Sequence, residues 1–314
     1  MRYIQSFQND SAIQAAVDDK SLGKPYIALN EQTGEIDWDT KMVGQGMYLT
    51  IKALEDGNFL IGATRTIEYS VSNNSWVSTS TGATISLSVG DSIRFRGTSG
   101  GRAMFSGNTI SFDVYGNIES LEYGDNFIGA TSVKSSTSFQ DMFKNSTGLV
   151  DAGDLVLPAT TLKDSCYMDM FYGCSNMVTP PSVLPALILN GQSYTYMFYG
   201  CRKLANAPEI KATTLASNSC KGMFENCSSL EEAPVLLPER IVQYAYQHLF
   251  DGCSSLRMIK CLATSWSNTS DFTGWVKGVY STGTFIRAKG VGWPVSSISI
   301  GSGIPRGWTV IDAQ

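Results

Sequence analysis

Apolar residues return in a fixed frame through the middle of the chain. The strings MFKNSTGL, MFYGCSNM, MFYGCRKL, MFENCSSL and LFDGCSSL begin at residues 142, 170, 197, 223 and 249, so one phrase recurs every 26 to 28 residues. Aligning the copies exposes further apolar columns: Leu162, Leu189, Leu215 and Ile241 upstream, then Tyr167, Tyr194, Cys220 and Tyr246. The phrase itself contributes Met170, Phe171 and Cys174; Met197, Phe198 and Cys201; Met223, Phe224 and Cys227; and Leu249, Phe250 and Cys253. Its last column is Leu149, Met177, Leu204, Leu230 and Leu256. Self-similarity at such a period marks a solenoid, in which each coil buries the same positions against its neighbours and none is stable alone. These columns are therefore expected to be core.

Within a coil, the apolar positions 162, 166, 167, 170 and 171 fit one face of a short amphipathic helix over Leu162–Phe171. Gly173, Gly200 and Gly252, with Asn145 and Asn226 in the same column, would end it at a positive φ. A short extended piece follows, with Pro180/Pro181, Pro208 and Pro234 at the next corner. One helix and one strand-like piece per coil predict a leucine-rich-repeat arrangement. The residue directly after each aromatic (Lys144, Tyr172, Tyr199, Glu225, Asp251) is polar or amphipathic and is predicted to face solvent. Tyr172 and Tyr199 are thus the candidate ligand surface, with two rings simply covering each other as the competing reading.

The period changes to two between residues 42 and 131. MYLTIKAL, FLIGA, TIEYSVSN, SWVSTS, ATISLSV, SIRFRG and NTISFDVYG are short β-rich runs parted by EDGN, NNS, VGD and GTSGG turns. That rhythm predicts an antiparallel β-sandwich. GTSGGR, at 97–102, lacks the phosphate-loop pattern and is read as a hairpin loop. In the first forty residues, Asn9 or Ser11 caps a predicted helix whose apolar face is Ile13, Ala16 and Val17, and KPYIALN-EQTG-EIDWD reads as a hairpin. After Leu262 the repeat fades, and Trp266, Trp275, Trp293 and Trp308 supply area to plug the last coil. A sugar-stacking platform is the alternative for one of them.

Composition narrows the chemistry. The 314 residues exceed one ordinary core, and 43% hydrophobic with 16% charged residues describes a folded chain. A net charge of −5 without any Lys/Arg cluster argues against nucleic acid as a partner. No window reaches the ~18 apolar residues that a membrane insertion needs. The N-terminus carries no signal-peptide run, which predicts that general secretion does not export the chain. All seven Cys fall between Cys166 and Cys261, one or two per coil and without a Cys-x-x-Cys pair, so they are expected to be reduced core residues rather than disulfides or metal ligands. His248 is the single histidine, which excludes a multi-His metal site, and Glu231–Glu232 and Asp18–Asp19 lack a context that would split their pKa values. The expectation is a chain that is not an enzyme and binds no cofactor.

The repeated phrase resembles the BspA-like leucine-rich repeats of surface proteins from gut Bacteroidota and of phages that infect them. GNIESLEYGDNF at 116–127 looks like the junction before such repeats, and GTFIRAKGVGWP at 283–294 and GIPRGWTVID at 303–312 look like their ending. The likeness spans about residues 45–314. NDSAIQAAVDDKSLGKPYIALNEQTGEIDWD is similar to modules that begin virion structural proteins of crAss-like Bacteroides phages.

These likenesses imply a mixed β and α/β chain. It divides into an N-terminal helix-hairpin module for virion attachment (1–41), a β-sandwich (42–131), a leucine-rich-repeat solenoid (132–262) and a C-terminal cap (263–314). They further imply a head or tail fibre, assembled in the host cytoplasm as a dimer or trimer. Ile13, Val17, Pro25, Tyr26, Ile27 and Trp38 would meet capsid or tail proteins of the same virion. The coils would adhere to host surface glycan or protein. A bacterial BspA-like cell-surface adhesin is the alternative, and it requires an export signal or lipoprotein cysteine.

Overall fold

The structure is a computed structural model, and it describes residues 28–29, 36–37, 46–80, 82–98, 101–296 and 301–314. It is mostly β, with few helical turns. Near the N-terminus, β1 (Ala28–Leu29) pairs antiparallel with β2 (Ile36–Asp37). The helix expected between Asn9 and Val17 lies outside the described residues, as do Pro25, Tyr26, Ile27 and Trp38.

Eight strands then build two facing sheets: β3 (Leu49–Ala53), β4 (Gly57–Ala63), β5 (Ile67–Val71), β6 (Val77–Thr79), β7 (Ala83–Leu87), β8 (Ser92–Arg96), β9 (Ala103–Met104) and β10 (Phe112–Asn117). The larger sheet runs β10-β3-β8-β5-β6 and the smaller β7-β4-β9, all antiparallel. Alternation sorts the side chains: Leu49, Ile51 and Ala53 go inward with Ile93 and Phe95, while Lys52 and the two arginines of β8 go outward. Between the sheets, Phe59 meets Phe112 edge-on at 5.2 Å and Phe105 meets Phe95 at 4.5 Å.

One expectation fails here. GTSGGR is not a hairpin loop, because β8 and β9, on either side of it, belong to different sheets.

The short helix α1 (Ser120–Tyr123) closes the sandwich, with the Ser120 hydroxyl donating to the Phe95 carbonyl at 2.9 Å. The solenoid is then laid directly on β10. Strands β11 (Leu149–Asp151) and β12 (Leu155–Val156) both pair with it in parallel. The approach is so close that a Cβ on Gly148 would lie 1.8 Å from the Ile110 carbonyl oxygen. From there the coils stack through short parallel pairs: β13 (Val183–Leu184) with β14 (Glu209–Ile210), and β15 (Arg240–Ile241) with β17 (Ser265–Trp266). A third set runs from β16 (Met258–Cys261) through β18 (Thr284–Arg287) to β19 (Thr309–Asp312). Isolated bridges such as Thr161 with Ile188 and Glu232 with Met258 fill the intervals. The parallel ladder thus runs on past residue 262 through β18 and β19. One hydrophobic cluster extends unbroken from Leu49 to Trp308.

No α-helix forms between Leu162 and Phe171; consecutive turns stand there instead. The backbone donors alternate. The N–H groups of Cys166, Met168, Met170, Tyr172 and Cys174 close turns onto the carbonyl three residues back. Those of Ser165, Tyr167, Asp169, Phe171 and Gly173 cross to Gly191, Ser193, Thr195, Met197 and Tyr199 in the next coil. A helix would keep every such bond within one segment; this ribbon spends half of them on its neighbour and leaves none of these donors orphaned.

The ribbon's period is four, and every fourth residue has a positive φ: Ser165, Asp169 and Gly173 at 57°, 56° and 72°, then Gln192, Tyr196 and Gly200 at 58°, 51° and 70°. Asp, Asn, His and Gly tolerate that conformation best, and Asp141, Asn145, Asn218, Gly222, Asn226, His248 and Gly252 occupy it in other coils. Over ten residues a period of four and one of 3.6 select nearly the same apolar positions, which is why the helix was the natural reading.

The Met, Phe and Cys residues of the phrase are all buried. Phe143, Phe171, Phe198, Phe224 and Phe250 form a ring stack with centroid steps of 5.5, 5.3, 5.4 and 5.8 Å. Each cysteine ties this stack to the backbone: the thiols of Cys174, Cys201, Cys227 and Cys253 donate to the carbonyls of Phe143, Phe171, Phe198 and Phe224 at 3.0–3.2 Å. In the worn first copy the Ser146 hydroxyl donates to the Phe105 carbonyl at 2.7 Å.

That bond exposes a copy the sequence reading missed. Met104-Phe105-Ser106-Gly107-Asn108 repeats the phrase inside the sandwich. The Phe105 ring lies 5.8 Å from Phe143, tilted by 50°, and Gly107 has a φ of 73°. The sandwich therefore supplies the first layer of the solenoid. At the other end Trp275, Lys277 and Gly278 continue the ribbon after Phe250, with the Phe250 N–H bonded to the Trp275 carbonyl.

The thiols are both buried and held neutral. Burial pushes Cys166, Cys220 and Cys261 up to about 12 and raises Cys174, Cys201, Cys227 and Cys253 as well. A native protein incubated with iodoacetamide at pH 8 should therefore keep all seven thiols unlabelled, and all seven should react once it is unfolded. Rapid stoichiometric labelling without denaturant would contradict this packing.

Candidate ligand-binding ridge

The ribbon raises one column of side chains along the coils: Lys144, Tyr172, Tyr199, Glu225, Asp251 and Lys277. The tight turns put these residues on the outside, opposite the buried Phe stack, and all of those up to Asp251 are half-buried. Tyr172 and Tyr199 lie face to face at 4.4 Å and 5°. Tyr196 meets Tyr199 edge-on at 5.8 Å, and its ring crosses Gly222, where a Cβ would lie 2.2 Å from Cε1. Lys144 Nζ sits 4.9 Å from the Tyr172 ring centroid and pairs with Asp141 at 3.0 Å and Asp169 at 2.7 Å.

Both faces of Tyr172 are therefore covered, one by Lys144 and the other by Tyr199. Tyr172 offers no free face on which a sugar ring can lie. Burial, followed by the neighbouring Tyr199, pushes the Tyr172 hydroxyl above the usual phenol range, so it remains a neutral donor.

Further along, His248 Nδ1 lies 3.0 Å from Asp251 Oδ2, and Lys277 Nζ lies 3.9 Å from the same oxygen. Glu225 is raised, first by burial, with repulsion from Asp251 opposed by His248. The ridge is a row of mutually compensated charges flanking two tyrosines. Its chemistry is that of a contact surface.

The tryptophans after Leu262 take the core role. Trp275 is fully buried, with Nε1 donating to the Gly303 carbonyl at 2.8 Å, and Trp308 Nε1 donates to the Tyr280 carbonyl at 2.8 Å. Trp293 is buried and stacks on Trp275 at 5.3 Å; Trp266 is half-buried against Trp293 at 4.6 Å. None of the three buried indoles offers a face for sugar stacking. Among the described residues no three His, Cys, Asp or Glu side chains gather in a metal-holding group, and no helix is long and apolar enough to cross a membrane.

Comparison of the chain with family models, with curated proteins and with solved structures returned no match.

Proposed function

We propose that this chain is a non-enzymatic structural component of a phage particle, a head or tail fibre. In this reading residues 1–41 dock on capsid or tail proteins, the sandwich acts as a spacer, and coils of the BspA-like leucine-rich-repeat class are displayed for adhesion to host surface glycan or protein. The fibre is a dimer or trimer of this chain, and copy number multiplies individually weak contacts.

The observation that carries the reading is the unbroken core from Leu49 to Trp308. The sandwich contributes Phe105, whose ring lies 5.8 Å from Phe143, to the same buried cluster as the coils. The repeated residues are absorbed in building that core, which leaves the ridge and the outer sheet face for contact. A continuous, repetitive core preceded by a dissimilar module suits display at a distance from an anchor.

Mass spectrometry of purified particles tests this directly, and the full chain should be present. A chain lacking residues 1–41 should still unfold in one cooperative thermal transition yet be missing from the particles. Incorporation of the truncated chain at normal copy number would remove the anchor role from that segment. Absence of the full chain from particles, with recovery at a bacterial surface, would favour the adhesin alternative.

A further inference from the structure

The strand ladder of the coils has a gap near its start. One coil further on, the strands are joined edge to edge: the Glu209 N–H donates to the Ser182 carbonyl at 3.0 Å and the Lys211 N–H to the Leu184 carbonyl at 3.1 Å. In the preceding pair of coils the place of Lys211 is taken by Pro185, which has no N–H to give to the Leu157 carbonyl. Among the described strands β12 accordingly pairs with β10, and β13 with β14, but not with each other. The two coils stay pinned on both sides of the gap. The Ala152 N–H donates to the Thr179 carbonyl at 2.9 Å, and Thr161 bridges Ile188. The opening left between these pins encloses about 320 Å³ and is lined by Ile128, Val156, Pro158, Val183 and Pro185. Asp154 is the only charged residue in its lining, and it is exposed.

Beside this hole stand two aliphatic side chains that the repeat does not require. Leu184, Ala186 and Leu189 are buried, whereas Leu187 and Ile188 are turned out, 54% and 60% exposed. The bridges of Ile188 to Thr161 and to Thr214 fix which residues share its column. In the other coils this pair of positions reads Thr160-Thr161, Thr213-Thr214 and Glu239-Arg240, all exposed. Polar residues satisfy the coil there, so stacking does not account for Leu187 and Ile188. The lining of the hole follows the same pattern. Val183 and Pro185 are succeeded one coil later by Glu209 and Lys211, which pair with each other. An apolar knob and an apolar hole thus lie side by side on one face, bordered by a compensated ion pair. Such a patch marks a contact surface. Any two points on a face are exchanged by a two-fold axis standing midway between them. One such axis sets each copy's knob in the other's hole, so the face is complementary to itself.

We infer that this face joins two copies of the chain, with Leu187 and Ile188 of each filling the opening between Val156, Pro158, Val183 and Pro185 of the other. The contact is isologous, so it closes at two copies and builds a dimer, not a trimer. The inference deepens the oligomeric part of the proposed function and rests on it, but the contact itself forms wherever the chain is assembled.

Sedimentation velocity on the full chain tests it, and a dimer is expected at micromolar concentration. Leu187→Glu/Ile188→Arg removes the knob by copying Glu239 and Arg240, and Val183→Glu spoils the hole by copying Glu209. Both variants therefore place at each position a residue that another coil carries in the same column, and a thermal melt checks that they fold. Each should weaken association by about a hundredfold or more, because charge enters both apolar contacts. Mixed together, the two variants should associate more tightly than either does alone, since the intact knob of one meets the intact hole of the other. A folding defect would not produce that recovery. If one variant does not fold, loss of the dimer in the other carries the test. A monomer at every concentration would overturn the contact and leave the face to a foreign protein or a small apolar ligand. A trimer, a dimer that either folded variant leaves intact, or a mixture without recovery would overturn it as well. A dimer formed by a chain absent from particles would uphold the contact and sink the virion reading; a monomer that still enters particles would do the reverse.

Discussion

Replacing Phe198 with alanine should lower the thermal midpoint by on the order of 10 °C. The ring is fully buried midway along the stack, 5.3 Å from Phe171 and 5.4 Å from Phe224. Truncating a buried phenylalanine costs about 3–5 kcal/mol, because the transfer energy is lost and the cavity only partly collapses. In a chain of this size each kcal/mol moves the midpoint by roughly 2–4 °C.

Collapse is especially restricted here. The backbone on either side of Phe198 is pinned, its N–H bonded to the Met223 carbonyl at 2.9 Å and its carbonyl accepting the Cys227 thiol at 3.0 Å. Coils are stabilised chiefly by nearest neighbours, so the loss falls on two interfaces at once. Hydrogen exchange should accelerate most between residues 170 and 230, and Phe198→Leu, which keeps most of the volume, should recover more than half of the midpoint. A midpoint within 2 °C of the parent would mean that the ring column does not hold the coils together.

What could be read from the sequence divides along physical lines. The columns of the repeat were legible because stacking demands the same side chain at the same height, and Met170, Phe171 and Cys174 recur almost letter for letter. The strand runs of the sandwich were legible through their alternation. The local conformation of the coil was not, since ten residues do not separate a period of four from 3.6. The discriminating signal was the set of residues four and eight positions before the Gly/Asn column, where Asp169, Asn218, Gly222 and His248 tolerate a positive φ.

Pairing across sheets was equally hidden. Nothing local in GTSGGR tells whether the chain reverses beside itself or crosses a core. The copy at Met104 was visible as letters but stood 38 residues before Met142, outside the repeat's step. For the candidate sites, the outward direction of Tyr172 and Tyr199 followed from their column, whereas the covering of the Tyr172 faces by Tyr199 and Lys144 is three-dimensional.

The junction of sandwich and solenoid yields the other large effect, and here a substitution should stabilise. Glu119 and Glu122 are both fully buried beside Arg65. Glu122 is well served: it accepts from the Lys134 N–H at 2.6 Å and from the Ser138 hydroxyl. Both oxygens of Glu119 lack a hydrogen-bond partner among the described residues. Burial, then repulsion from Glu122, raises the Glu119 carboxyl from 4.5 to about 9, with Arg65 and Lys134 only partly opposing.

The folded chain therefore holds this group protonated at neutral pH, whereas the unfolded chain ionises it above 4.5. Its contribution to stability is fully present below pH 4.5, declines as pH rises, and is gone once pH passes about 9. At pH 7 the difference amounts to about 3 kcal/mol, from 1.4 kcal/mol per pKa unit. Glu119→Gln keeps the shape without the proton equilibrium. Denaturant unfolding should show the parent losing stability steadily between pH 5 and pH 9, with a much shallower slope in the variant and a gain over the parent that widens with pH. Parallel profiles for the two proteins would mean that Glu119 is ionised in the folded state, its charge met by Arg65, and that the junction is held by an ion pair rather than by a neutral acid.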